Sequence, residues 1–163
     1  MKFNIMLMLF LCSTSMTSFS EVSQSLLEEN LVNDTFLYLN KFWADKGKSL
    51  SRSTTEKYFT SDTTLVINGK EVYKGYDQFD THFKEVGKTI RGEILFPLLD
   101  VMSKKNKIVV HFNEDIRDNH GNDYPTNVIA IFTVKNGKIQ RWEEVVNSNY
   151  FCQSEAMSVV YSK

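Results

Sequence analysis

The stretch from Lys107 to Asn147, KIVVHFNEDIRDNHGNDYPTNVIAIFTVKNGKIQRWEEVVN, decides the fold. It predicts three strands joined by two turns, because apolar and polar residues alternate with the period of two that marks a strand. The turns fall at Asn119–Gly121 and Asn136–Gly137, where the residues tolerate the positive φ that tight connections need. We therefore expect a β-sheet at the centre of the molecule.

The first of these strands has two faces of different character. One face carries Ile108, Val110, Phe112 and Ile116, and the other carries Val109, His111, Asn113 and Asp115. Alternation alone predicts that the first face is buried and that the second is exposed to water.

The sequence before this stretch predicts mainly helices. A helical period runs from Val22 to Ala44, and a capping box of Ser53 with Glu56 predicts a short second helix that ends near Phe59. Further along, the patterns predict strands Thr63–Ile67 and Glu71–Lys74 around an Asn68–Gly69 turn, a helix Tyr76–Val86, and a long strand Thr89–Met102 that contains Pro97. Helices early and an antiparallel meander late indicate an α+β domain with helices on one face of a curved sheet.

Composition and the N-terminus narrow the class of protein. The chain has 163 residues and a formal net charge of -1, which suits one globular domain and offers no basic surface for nucleic acid. Lys2, the apolar run Ile5–Leu11 and small residues around Ser20 predict a cleaved signal peptide over residues 1–20. We therefore expect a secreted or periplasmic protein with no membrane association once mature, a domain over residues 21–147 and a tail over 148–163.

The cysteines fit this interpretation. A lipoprotein signal with Cys12 as the lipid acceptor is the alternative, but Phe10 and Leu11 are bulky for that cleavage site. Once Cys12 leaves with the signal peptide, Cys152 is the only cysteine, so we expect no internal disulfide.

Three short motifs, taken in order, resemble the SnoaL-like branch of the nuclear-transport-factor-2-like superfamily. They are Asp62 after Tyr58-Phe59, Tyr73-Lys74-Gly75 before the third helix, and Asn136-Gly137-Lys138-Ile139 before Trp142. The resemblance covers Leu26 to Asn147 and implies a cone-shaped curved antiparallel sheet wrapped around N-terminal helices, with a deep, mostly apolar pocket. The superfamily includes steroid isomerases, polyketide cyclases, dehydratases, epoxide hydrolases and binding domains, so the fold leaves the function open.

The residues that the resemblance places at the known catalytic positions do not match those activities. Ile67 and Ala130 stand where ketosteroid isomerases have an aspartate base and an oxyanion-site aspartic acid. The run Asp115–Arg117 reverses the Arg-x-Asp order of limonene-type epoxide hydrolases. Scytalone-type dehydratases use two pocket histidines, and only His111 is a candidate here.

The resemblance also implies which side chains face the pocket. If Gly121 is the turn glycine of the family, the resemblance reverses the face of the first strand that alternation predicts to be buried. The inward side chains on that strand are then Val109, His111, Asn113 and Asp115. Those on the last strand are Gln140, Trp142, Glu144 and Val146. His111 and Glu144 then form a candidate catalytic acid–base pair. Asn113 and Trp142 become ligand-binding residues, and Tyr38, Trp43 and Tyr58 close the pocket mouth.

Three functions remain open at this point. The first is an exported domain that binds a small apolar molecule without catalysis. The second is an isomerase-, dehydratase- or cyclase-type enzyme that uses His111 and Glu144. The third is a homodimeric structural or protein-interaction module whose apolar convex face includes Val110 and Phe112. No cluster has metal-ligand spacing and no Gly-rich phosphate loop is present, so we expect neither a metal nor a cofactor.

Overall fold

The computed structural model describes residues 26–46 and 49–148. The predicted signal peptide, both cysteines and the tail beyond Ser148 lie outside these residues. The helices are α1 (residues 26–44), α2 (Arg52–Tyr58) and α3 (Tyr76–Thr89). The strands are β1 (Phe59–Ile67), β2 (Lys70–Lys74), β3 (Ile90–Ile94), β4 (Asp100–Lys104), β5 (Lys107–Asp118), β6 (Asp123–Lys135) and β7 (Lys138–Asn147). No helix in the described part of the chain is both long enough and apolar enough to cross a membrane.

The seven strands form one strongly curled sheet. The strand order is β2-β1-β7-β6-β5-β3, and β4 also pairs with β5. The meander β5–β6–β7 is antiparallel, as predicted from the stretch Lys107–Asn147. β1 pairs with β7 in parallel, which the sequence patterns did not predict, and the sheet is therefore mixed. The sheet wraps around the helices, which confirms the predicted cone-shaped α+β fold.

The two Asn-Gly turns form hairpins as predicted. Asn68 and Gly69 have φ of 48° and 80°, and Asn136 and Gly137 have φ of 53° and 72°. Asparagine and glycine tolerate this left-handed region better than other residues, so each dipeptide fixes the register of the strands on either side.

Two predicted local features are wrong. The N-cap of α2 is Ser51 rather than Ser53, because the Ser51 hydroxyl accepts a hydrogen bond from the Thr54 backbone N–H at 3.3 Å. The predicted long strand Thr89–Met102 is two strands, β3 and β4, which pair with different parts of β5. Pro97 lies in the connection between them rather than within a strand.

The inner face of β5 is the one that alternation predicted. Ile108, Val110, Phe112 and Ile116 are all at most 3% exposed. The assignment taken from the resemblance, with His111 and Asn113 turned inward, is therefore wrong for this strand. Burying four apolar side chains removes far more apolar surface from water than burying a valine, a histidine, an asparagine and an aspartate. Val110 and Phe112 are therefore not on the outer face, where the homodimer hypothesis placed them.

Aromatic rings fill the interior between α1 and the sheet. The Phe36 ring centroid lies 4.7 Å from Phe112, 5.9 Å from Phe132 and 6.3 Å from Trp142. A second group of rings, Phe42, Trp43 and Phe83, packs beside α3. This packing occupies much of the space that the sequence interpretation assigned to an apolar ligand.

Candidate functional site

His111 lies on the outer face of the sheet. Its Nε2 is 2.9 Å from the Asn127 side-chain nitrogen and 3.2 Å from the Asn127 side-chain oxygen. Asn127 in turn donates to the Asn113 side-chain oxygen at 2.9 Å. Glu144 is on the opposite face, because it pairs with Ala130, and Ala130 pairs with the buried Val110. The predicted acid–base pair of His111 and Glu144 is therefore not assembled.

Two glutamates point into the cone instead. Glu114 lies between Phe112 and Ile116 on the inner face of β5, and its register neighbours are Ile94 and Thr126. Glu144 lies two residues beyond the buried Trp142 on β7. Neither carboxyl forms an ion pair or a hydrogen bond of standard geometry with the described residues. We call Glu114 and Glu144 the inner carboxyls.

Burial is the main influence on the Glu144 carboxyl. Loss of solvation and, second, the negative charge of Glu114 together raise the pKa of Glu144 to about 8. The Trp142 indole N–H opposes this shift, because it lies close enough to Glu144 to favour the ionised form. At neutral pH the Glu144 carboxyl is therefore mostly protonated.

The Glu114 carboxyl is shifted in the same direction. Burial raises the pKa of Glu114 to about 7, and the neighbouring Asp115 adds to the shift. Glu114 and Glu144 nevertheless keep partial solvent contact. They are deep in the protein without being sealed from water.

Two polar atoms near Glu144 lack partners. The Trp142 Nε1 and the Tyr73 hydroxyl are both buried, and neither forms a hydrogen bond within the described residues. The pKa of the Tyr73 hydroxyl is raised well above its usual value, first by burial and second by the nearby charge of Glu144. A buried donor without an acceptor costs about 1–3 kcal/mol.

Gly92 on β3 makes room for Glu114. A Cβ at this position would collide with Glu114 Oε1 and would lie 3.1 Å from Trp43 Nε1. The Glu114 carboxyl and the edge of the Trp43 ring therefore approach the same point on the inner wall. Phe42 supports the Trp43 ring from behind, with a centroid distance of 4.8 Å and an interplanar angle of 62°.

Glu114 also lines a cavity of about 440 Å³ at one end of the cone. The lining includes Leu95, Asp115, Thr126 and Ser148, and the asparagines at positions 113, 127 and 147. No lysine, arginine or histidine is among the residues that form this wall in the described chain. The volume suits a small organic molecule. The carboxyls and amides give the cavity a polar and acidic character.

Comparison with known proteins identifies the architecture. By sequence, no known family and no curated protein matches the chain. Among solved structures, an LEH-like epoxide hydrolase from M. tuberculosis superposes with a TM-score of 0.60 at 12% identity, covering 75% of this chain and 84% of that one. A proposed SnoaL-like polyketide cyclase from Jannaschia sp. CCS1 gives a TM-score of 0.60 at 12% identity, covering 85% and 94%. An NTF2-like protein from Anabaena variabilis ATCC 29413 gives 0.60 at 17% identity, covering 74% and 90%.

The chain has the cone-shaped fold that these SnoaL-like and NTF2-like structures share. The resemblance predicted from the sequence motifs is thereby confirmed at the level of the fold. The identities are low, so the likeness carries the architecture of the SnoaL-like cone and not the chemistry of its neighbours.

The other predicted ligand residues lie in different places. Tyr38 and Tyr58 stack with ring centroids 5.4 Å apart and line a separate cavity of about 360 Å³ between α1 and α2. Asn113 reaches the first cavity from the outer face, and Trp43 lies beside Glu114. Trp142, Glu144 and Val146 occupy the inward positions on β7 that the resemblance implied for them.

Sequence reasoning missed two residues that face the interior near the candidate site, Glu114 and Tyr73. Glu114 was identifiable, because the period of two places it on the same face as Phe112 and Ile116. Tyr73 belongs to the Tyr73-Lys74-Gly75 motif, but its inward position was not predicted. His82, predicted to be solvated, instead lies against Tyr73 with a ring distance of 5.7 Å, and burial lowers the pKa of His82 to about 4.

Proposed function

We propose that this protein binds a small molecule at the open end of its SnoaL-like cone, with the inner carboxyls Glu114 and Glu144 as the polar contacts. The observation that carries this proposal is that two carboxyls point inward without partners. Burying an unpaired carboxyl opposes folding, and such groups cluster at functional sites. The cavity beside Glu114 supplies space for a ligand of matching size.

The predicted ligand is refined by this geometry. The sequence interpretation favoured a wholly apolar molecule, whereas aromatic side chains occupy much of the interior and the cavity wall is polar. We propose a ligand with an apolar body against residues such as Leu95 and a polar group that faces Glu114. Residues 1–20 support export of the protein, and mass spectrometry of the secreted chain would identify its first residue.

A thermal-shift screen of the purified chain tests binding. A ligand at 100 times its dissociation constant stabilises the folded state by ~2.7 kcal/mol. For a domain of this size that corresponds to a rise in the melting midpoint of roughly 5–10 °C. The screen uses sterols, polyketides, terpenoids and fatty acids, together with their hydroxyl and amino derivatives.

Variants connect a positive result to the site. Glu114→Gln removes the charge with little change of shape, and it should weaken binding of any true ligand of this cavity. The matched control is Glu93→Gln on the adjacent strand, whose side chain is exposed. Equal affinity in all three proteins would place the ligand elsewhere on the molecule and would contradict the proposal.

A second candidate is proton-transfer catalysis by the inner carboxyls. The pKa values of about 7 for Glu114 and about 8 for Glu144 are close to neutral, where a general acid and a general base work best. Such an enzyme would lose turnover in Glu144→Gln and keep it in His111→Ala, since His111 faces outward. The opposite pattern would exclude the inner carboxyls from the chemistry.

The predicted homodimer stays a proposal, with different residues. The outer face exposes Ile129 at 48%, Val145 at 64% and Met102 at 57%. Arg141 and Glu143 lie beside them, 3.1 Å apart, so that this face carries both charge signs and can complement a second copy across a two-fold axis. Sedimentation should show a dimer that Val145→Glu dissociates. A monomer at micromolar concentration would contradict it.

A further inference from the structure

The interior site has negative charge without a matching positive charge. Glu114 and Asp115 both line the cavity, and Glu144 is near enough to Glu114 for the two to interact electrostatically. Arg117, on the same strand as Glu114, is used elsewhere. Arg117 forms a bidentate pair with Asp123, at 2.5 and 2.9 Å, on the outer side of the hairpin. The protein therefore does not supply a counter-ion from the described residues that line this cavity.

The unpartnered donors point to the ionised form of Glu144. Trp142 and Tyr73 are 6% and 1% exposed, and each directs a buried polar atom without a hydrogen-bond partner toward the region of Glu144. An ionised carboxylate accepts several hydrogen bonds, whereas a protonated carboxyl accepts fewer. Both orphan donors would therefore be better satisfied if a positive charge held Glu144 in its ionised form.

An aromatic surface lies beside the other inner carboxyl. The absence of a side chain at Gly92 brings Glu114 Oε1 and the Trp43 ring to the same point. At this point the Trp43 ring presents its N–H edge, which carries partial positive charge and favours the ionised form of Glu114, the form with which an organic cation would pair. Trp43 is 9% exposed, so this contact would take place largely out of water.

These observations extend the proposed binding function by naming the ligand class. We propose that the molecule bound in the cone carries a basic nitrogen, a protonated amine or a quaternary ammonium group, which lies beside Glu114 on the side that faces Glu144. The proposal rests on the binding function proposed above. No group of three or more histidine, cysteine, aspartate or glutamate side chains in the described chain could hold a metal ion, which favours an organic cation as the charge carrier.

Proton release is the signature of this mode of binding. In the free protein the charge of Asp115, on the opposite face of β5, acts on Glu114, the charge of Glu114 acts on Glu144, and burial keeps the two inner carboxyls largely protonated at pH 6. A cation beside them favours the ionised forms, so binding expels protons. A simple amine stays protonated up to pH ~10, so its affinity should rise by up to about tenfold per pH unit below pH 7.

Matched probes separate charge from shape. The full chain is titrated calorimetrically with sets of compounds that share one body, such as 2-naphthylmethylamine, 2-naphthalenemethanol and 2-naphthoate, followed by the corresponding cyclohexyl and decyl sets. We expect the amine of at least one set to bind about tenfold or more tightly than its alcohol, and the carboxylate to bind weakest. Titrations in phosphate and in MES at pH 6.5 should give different heats, because protons are released.

Variants decide whether the site is the inner one. Glu114→Gln should abolish the preference for the amine over the alcohol, while Glu93→Gln should retain it. Circular dichroism and the melting midpoint verify that both variants are folded. Gly92→Ala provides a second approach, since it displaces the Glu114 carboxyl without changing any charge, and it should weaken the amine more than the alcohol.

The other outcomes are equally informative. Alcohols that bind as tightly as amines, with affinity lost in Glu114→Gln, would overturn the cationic ligand and leave the binding function intact. An amine preference that survives Glu114→Gln would overturn the proposed position. Failure of every amine, alcohol and carboxylate to bind would overturn both the cationic ligand and the binding function.

Discussion

Glu114 and Asp118 lie four residues apart on β5, and their carboxyls are held in opposite ways. Asp118 accepts hydrogen bonds from the His120 N–H at 2.8 Å, the Asn122 N–H at 3.0 Å, the Asn122 side-chain amide at 2.9 Å and the Tyr124 hydroxyl at 3.1 Å. Hydrogen bonds to Asn122, in particular, lower the pKa of Asp118 to about 2. Glu114 has no such donor, and burial raises its pKa to about 7.

The difference separates a structural carboxylate from a candidate functional one. The charge on Asp118 organises the turn between β5 and β6, so the fold benefits from it. A negative charge on Glu114 or on Glu144 opposes folding, because it is buried without an ion-pair partner. Only a ligand that enters the cone would offset this cost. Of these two carboxyls on β5, Asp118 therefore stabilises the fold at the turn, whereas Glu114 is available to a ligand.

The largest expected effect comes from Glu144→Gln. The folded-state pKa of Glu144 is about 8 and its ordinary value is 4.5, so the folded protein binds more protons than the unfolded chain between these pH values. Stability should therefore fall as pH rises from about 4.5 to 8. The substitution removes this loss of stability, raising the free energy of unfolding at pH 9 by up to ~5 kcal/mol. Urea denaturation at pH 5 and pH 9 measures it, and an unchanged pH dependence would contradict the inward placement.

Glu114→Gln should act in the same direction with a smaller amplitude. A rise from 4.5 to about 7 corresponds to ~3 kcal/mol at a pH above both values, and the loss of stability should be complete by pH 8. Because Glu114 and Glu144 interact, the double variant should stabilise by less than the sum of the single variants. Strict additivity in a double-mutant cycle would show that these carboxyls do not sense each other.

Gly92→Ala tests the contact that brings Glu114 next to Trp43. The new methyl group collides with the Glu114 carboxyl, and accommodating such an overlap costs ~1–3 kcal/mol. Gly121→Ala is an instructive comparison, since its Cβ would meet nothing within 4 Å while its φ of 87° is unfavourable for alanine. A blue shift or red shift of tryptophan fluorescence should accompany Gly92→Ala alone. Identical spectra would argue against a close approach to Trp43.

Asp118→Asn should have the smallest effect at neutral pH, because the site is open to solvent. Its folded-state pKa is below the ordinary value of 3.8, so the carboxylate contributes stability above about pH 4 and loses it as pH falls toward 2. The variant should therefore differ from the parent at pH 7 and converge with it near pH 2. Asp100→Asn, on the exposed edge of β4, is the control. Equal curves for the parent and Asp118→Asn throughout would contradict a role for Asp118 in the turn.

Much of the secondary structure could be predicted because it depends on neighbours in the sequence. The Asn68–Gly69 and Asn136–Gly137 turns were predictable from backbone preferences alone, and the strands around them from alternation. The boundaries of β3 and β4 were not predictable in the same way, since the chain between them pairs with two separate parts of β5. The parallel pairing of β1 with β7 joins segments far apart in sequence, which no local pattern records.

The candidate site was harder to predict from the sequence than the secondary structure. Alternation correctly predicted that Phe112 is buried, and the same rule requires Glu114 to follow it inward. The resemblance to SnoaL-like proteins correctly predicted the architecture. It assigned the wrong face of β5 to the interior, however, and therefore placed His111 in the pocket. A family likeness gives the position of strands more reliably than the register of one strand, because a shift of one residue exchanges the two faces.

The order of the helices, the two Asn-Gly hairpins and the apolar face of β5 could be deduced from the chain, since each follows from local backbone preference or from the period of a strand. That Glu114 and Glu144 share one interior with Tyr73 and Trp142 depends on the folded sheet. Those residues lie on three strands, β2, β5 and β7, and their environment exists only after the sheet has curled around the helices. Burial then sets the pKa of each carboxyl, which is why the chemistry of this site could not be deduced from the chain alone.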